Sequence, residues 1–141
     1  MRYVVEFDET YRGFRILGLF RDHGYRCGYV QIPNDILPKV QEDAEQDSEC
    51  VPVNVHGGVT FAGYLKDFDE FFIGFDCAHY GDLQDIESWK THFPEEYAKI
   101  KKYLDHPNRR GETVKTKEFV REECYRMIDQ IIDIYYEGVT P

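Results

Sequence analysis

Two short segments concentrate the side chains able to do chemistry: Asn54-Val55-His56-Gly57-Gly58-Val59-Thr60 and Gly74-Phe75-Asp76-Cys77-Ala78-His79-Tyr80-Gly81-Asp82. In the first, consecutive glycines permit positive φ and let a ligand approach the backbone closely. Successive N–H groups in such a turn can form an anion-binding concavity, with the Thr60 hydroxyl as a further donor. His56 at its mouth can hydrogen-bond a phosphate or serve as an acid or base. The plainer alternative is that Gly57-Gly58 is only a hairpin turn.

In the second segment an apolar run leads straight into Asp76, Cys77 and His79, then a glycine turn and Asp82. Polar groups at the end of a buried strand are held rigidly, which suits a site. Period-2 geometry puts Phe75, Cys77 and His79 on one face and Asp76 and Ala78 on the other. Cys77 and His79 can then touch one ligand, and Asp76 joins them only if the strand has already ended.

Three chemistries compete for these residues. His56, Cys77, His79 and Asp82 are the right types for zinc, although no ligand spacing singles out a metal site. Cys77 and His79 could pair as nucleophile and base, but a cysteine in an apolar strand is ordinarily inert packing. In the third, a polar ligand is bonded by His56, His79 and the aspartates over a glycine-lined floor. The candidate binding set is His56, Gly57, Gly58, Thr60, Asp76, His79, Tyr80 and Asp82. No catalytic residue, metal ligand or cofactor is assigned. A purely structural alternative has Asp82 capping the turn before Ile86 and His79 satisfying a buried carbonyl.

The elements that must position these residues follow from the pattern. Tyr3–Phe7 and Phe14–Phe20 are β-prone runs separated by turn chemistry over 8–13, which predicts a hairpin. Tyr25–Ile32 is a further strand ended by Pro33. Residues 34–50 predict a short helix, limited by Pro38, followed by an exposed mobile loop. Val51–His56 and Val59–Tyr64 are strands flanking the Gly57-Gly58 turn. After a polar break, Phe71–Cys77 reads as a central strand covered on both faces.

The second half is helical. Pro94–Leu104 places proline and acids in a first turn, with Tyr97, Ile100, Tyr103 and Leu104 at helical spacing. Thr116 caps a second helix whose apolar stripe is Phe119, Val120, Cys124, Met127, Ile128, Ile131 and Tyr135. The fold expected is α+β: an antiparallel or mixed sheet from the N-terminal half packed by the two C-terminal helices, in one domain over 1–141.

Composition narrows the function. The 141 residues carry 27 acidic against 17 basic side chains, a formal charge of −10. That balance weighs against direct nucleic-acid binding, whose phosphates need neutralising. It leaves a solvated acidic surface or an imitation of nucleic acid aimed at a basic groove. The 16% aromatic content fills a core and offers tyrosine faces to a planar ligand. No apolar run reaches about 18 residues, so no membrane span is expected. The acidic N-terminus is unlike a signal peptide. Cys27, Cys50, Cys77 and Cys124 include no CxxC pair, and reduced thiols in a cytosol are expected. Arg109 and Arg110 lie in a loop, from which a partner subunit's phosphate could be reached in a homo-oligomer.

The order Cys-Gly-Tyr-Val (27–30), Val-His-Gly-Gly-Val-Thr (55–60) and Ile-Gly-Phe-Asp-Cys-Ala-His-Tyr-Gly-Asp (73–82) resembles a group of small, largely uncharacterised bacteriophage and prophage proteins. The helix around Phe119-Val120-Arg121-Glu122-Glu123-Cys124 also looks like theirs, and the resemblance spans roughly 25–135. It implies a protein of the host cytosol that acts against host defence. The version favoured is a binder that sequesters a small nucleotide immune signal. Its backbone donors and His56 would take phosphate, tyrosine faces a base, and the aspartates ribose hydroxyls. Two rivals stand beside it. One is a phosphodiesterase or hydrolase of such a signal using His56 and His79. The other is an acidic inhibitor that binds a host nuclease, as anti-CRISPR proteins do.

Overall fold

The hydrophobic alternation of the N-terminal half closes into one antiparallel sheet. A computed structural model describes residues 2–103 and 112–137. Arg109, Arg110 and Leu104 lie outside them. Strands β1 (Tyr3–Tyr11), β2 (Phe14–Arg21), β3 (Arg26–Gln31), β4 (Phe61–Leu65) and β5 (Glu70–Asp76) pair in the order β1-β2-β3-β5-β4. Every pairing in this sheet is antiparallel. The run Phe71–Phe75 is buried throughout, as expected of an interior strand, although β3 is the middle one.

The first hairpin turns tighter than its polar composition suggests. Arg12 and Gly13 take φ of 50° and 86°, the two left-handed residues of a type I′ turn, and β1 continues through Asp8–Tyr11. These polar residues stay in the strand because tertiary partners hold them. Glu9 pairs with Arg121, and Tyr11 stacks on Tyr125 at 4.2 Å. A bulge between Val5 and Phe7 inserts Glu6 and aims its carboxylate at Arg26.

Helix α4 (Lys117–Ile131) lies across one face of the sheet. Thr116 Oγ1 accepts from the Phe119 N–H at 3.1 Å, and Val120, Cys124, Met127, Ile128 and Ile131 are buried against Ile16, Val30, Ile73 and Phe75. The chain then continues as a π-helical segment, Ile132–Glu137. The short helix α1 (Leu37–Asp43) carries Pro38 in its first turn, where a missing N–H costs nothing, and contributes Val40 to the same core. The stretch after it is not featureless: Ser48–Cys50 form a 3₁₀ turn capped by Asp47.

Between β5 and α4 come a two-residue strand β6 (Asp82–Leu83), helices α2 (Ile86–His92) and α3 (Pro94–Ile100), and β7 (Thr113–Val114), which pairs parallel with β6. The sequence shows α3, with Tyr97 and Ile100 packed inward, but Tyr103 is exposed. It does not show α2, which buries Trp89 against Phe20. Asp85, not Asp82, caps α2 by accepting from the Ser88 N–H.

The other face of the sheet differs. Leu17, Leu19, Cys27, Tyr29 and Phe72 form its cluster, edged by Tyr3, Phe61, Leu65 and Phe68. Among the described residues no helix contributes to that cluster. No described helix is long and apolar enough to cross a membrane.

Candidate functional site

The segment carrying His56 is extended but, among the described residues, pairs with no strand, contrary to the expectation for Val51–His56. Val51, Val53 and Val55 alternate into the core as strand residues would. The intervening Asn54 and His56, however, bond their backbone to side chains of α4. Gln130 accepts from the Asn54 N–H and donates to the Asn54 carbonyl, both at 2.7 Å. Glu123 accepts from the His56 N–H at 2.9 Å and is itself held by Arg126 at 2.6 Å. The segment is therefore laid along the helix.

The Gly57-Gly58 turn bends back at once. Both glycines are left-handed, with φ of 71° and 83°, and the Gly58 N–H donates to the Val55 carbonyl. With the His56 and Gly58 N–H groups already bonded, the turn offers no run of successive backbone donors. The close approach it does permit is from within. The His79 ring lies over Gly57, where a Cβ would come within 2.4 Å of the imidazole.

The two histidines meet two aspartates. His56 Nε2 stands 2.9 and 3.0 Å from the carboxylate oxygens of Asp82, whose side chain is fully buried. The His79 backbone N–H donates to Asp82 Oδ2 at 3.1 Å, and the Lys115 ammonium lies 3.1 Å from Oδ1. Burial alone would raise the Asp82 carboxyl. The donors from His56, the His79 backbone and Lys115 outweigh it and hold the group below its ordinary value. An ionised carboxylate only accepts, so Nε2 of His56 carries the proton and Nδ1 holds the lone pair when the ring is neutral. The edge of Phe119 packs on the His56 ring at 5.2 Å, and the two imidazole centroids are 6.1 Å apart.

The second pair is looser. His79 Nε2 lies 3.1 Å from Asp76 Oδ1 without hydrogen-bond alignment, and each side chain is about one-third exposed. Asp76 Oδ1 instead accepts from the Ala78 N–H at 3.1 Å. Strand β5 ends at Asp76, so the alternation used to place His79 no longer holds there.

The remaining candidates divide. Thr60 gives its N–H to the Gly74 carbonyl and, with Asp76, lines an open cavity on the sheet face opposite α4. Tyr80 stands 98% exposed. Cys77 is buried in the α4-side core, where desolvation pushes its thiol up, and it is no nucleophile in this setting. Among the described residues no group of three or more His, Cys, Asp or Glu could hold a metal ion. The four cysteines are free.

Three contributors escape sequence reading. Lys115 precedes the Thr116 cap and carries no motif. Glu123 left a trace: it is a charge lying three residues from Val120 and four from Met127 on the buried stripe. Arg26, 5% exposed, bonds Glu6 at 2.6 Å, Asp85 at 2.8 Å and the Lys115 carbonyl at 3.0 Å. It thereby fixes the strand that brings Lys115 to Asp82.

Compared with protein-family models, curated proteins and solved structures, the chain matches none of them.

Proposed function

We propose that this is a phage-encoded counter-defence protein that binds and sequesters a small nucleotide-type immune signal in the host cytosol. The phage setting rests on the sequence resemblance. The binding reading is supported by one observation above the others: two histidines 23 positions apart in sequence bring their imidazoles to within 6.1 Å, beside an ammonium. Phosphate is the ligand chemistry favoured by the ring of His79, whose Nε2 has no hydrogen-bond partner among the described residues, next to that ammonium. Asp82 does not oppose it, because its charge is already answered by His56 and Lys115. Asp76 points its carboxylate toward the neighbouring cavity and suits a hydroxyl or ring N–H of the same ligand.

A second reading, hydrolysis of such a signal, is favoured by the His56–Asp82 alignment, which leaves Nδ1 as a lone-pair base. Product analysis separates the two. The protein is purified from cells with active nucleotide-based defence, heat-denatured, and the released small molecules are weighed by mass spectrometry. An intact nucleotide supports sequestration. A cleaved nucleotide, or turnover in solution, moves the assignment to the hydrolase. Unchanged nucleotide binding after replacing Gly58 by a bulky residue would count against this turn as part of the site.

A further inference from the structure

We infer that the open cavity on the sheet face opposite α4 is the subsite for the nucleobase of that ligand. The inference rests on the nucleotide-binding reading and assigns a base-binding part that Tyr80, extended into solvent, does not supply.

Position is the first reason. The cavity shares Asp76 with the histidine cluster: one side of that carboxylate lies 3.1 Å from His79, and the residue also lines the cavity. A ligand with phosphate at the histidines therefore has its ring within reach of this space. Size is the second. A volume of about 340 Å³ sits at the small end of ligand pockets, which run from about 300 to 1,000 Å³, and suits one base with its sugar.

The lining is the third reason. Tyr29 forms a rigid floor. Gly74 beneath it has no Cβ, and one there would strike the Tyr29 ring at 2.4 Å, so the ring lies low on the sheet. The Tyr29 hydroxyl accepts from Arg21 at 2.7 Å, which locks it. Phe61 stands edge-on to Tyr29, 5.6 Å away at 86°, as a wall on which a flat ring can stack.

Around these faces stand groups able to read the edge of a heterocycle. Asp76 and the Thr60 hydroxyl accept, and Arg21 donates. Burial pushes His23 below its ordinary value, so its ring is neutral at pH 7. Its Nδ1 accepts from the Tyr25 N–H at 3.3 Å, which leaves Nε2–H as a donor. A lipid chain would set these polar groups against hydrocarbon, and a nucleobase offers them hydrogen-bonding edges.

The test is calorimetric titration of the full chain with adenosine, guanosine, cytidine and uridine 5′-monophosphates and with inorganic phosphate. Ala78, exposed at the cavity mouth, is replaced by Trp. Binding of at least one monophosphate by the unaltered chain, weakened at least about tenfold in Ala78→Trp, is expected. Phosphate binding should be the same in both proteins. Equal monophosphate affinity in the two would overturn the cavity assignment while leaving nucleotide binding intact. Failure of all four to bind the unaltered chain would overturn both. If Ala78→Trp does not fold, Ala78→Leu narrows the same mouth with a smaller side chain and is read in the same way.

Discussion

The two histidine–aspartate pairs are made of the same residue types within a few ångströms of each other, yet they are different devices. At His56–Asp82 the carboxylate is fully buried and receives an imidazole, a backbone N–H and an ammonium. It fastens the stretch around 56, which joins no strand pairing among the described residues, to the 79–82 and 115 stretches that the β6–β7 pairing already brings together. At His79–Asp76 both side chains are partly exposed and poorly aligned: Asp76 Oδ1 accepts from the Ala78 N–H instead, and His79 Nε2 has no hydrogen-bond partner among the described residues. The number of donors around a carboxylate, rather than the presence of a His–Asp pair, separates a structural clasp from a group left for a ligand.

Substitutions should divide the pairs sharply. Asp82→Ala strands a largely buried ammonium and imidazole and should cost about 3 kcal/mol, the low end for a broken buried pair because Lys115 and His56 retain some solvent. Asp76→Ala should cost less than about 1 kcal/mol, as exposed pairs do. Urea unfolding of both variants measures the gap, and equal losses would erase the distinction.

The glycine turn gives a finer contrast. Gly57→Ala meets both a left-handed φ and the His79 ring, and should destabilise by about 2 kcal/mol. Gly58→Ala meets only the φ, with open space at its Cβ position, and should cost about 1 kcal/mol. Thermal melts rank them. A Gly58 variant at least as damaged as the Gly57 one would mean that His79 does not rest on the turn.

Acid sharpens the same comparison. The folded state holds the Asp82 carboxyl below its ordinary 3.8, so the unfolded chain takes up its proton first. The stabilisation is complete above about pH 4 and is lost as pH falls through the folded value. Asp82→Asn should therefore flatten the acid limb of stability against pH relative to the unaltered chain. An unchanged slope would mean that Asp82 is not the clasp.

The smallest expected effect concerns the thiols. In the native state one cysteine, the exposed Cys50, should react readily with iodoacetamide. Cys77 and Cys124, buried and with thiols pushed up (Cys124 to about 12), should react only after unfolding. Rapid native labelling of Cys77, located by peptide mapping, would reopen it as a nucleophile.

Much of this was legible in the chain. The Phe14–Phe20 and Phe71–Phe75 runs, the apolar stripe of α4 and its Thr116 cap state their structure through spacing alone. So does the prominence of His56, His79 and Asp82, which the fold brings together. Val51–His56 misleads because alternation reports which side chains turn inward and not what bonds the backbone. There the partners are Gln130 and Glu123, some 70 residues away. Helix α2 is missed because its signal is short: one buried Trp89 and an Asp85 cap.

Local chemistry, then, determined the strands, the long helix and the residue types at the site, since propensity, period and capping act over a few neighbours. Tertiary structure decided which histidine is clasped and which is left partly open. It also recruited Lys115 and Glu123, and packed α4 on one sheet face while no described helix joins the cluster on the other. Those outcomes depend on donors and buried surface supplied from distant parts of the chain, and a one-dimensional pattern carries no distance between them.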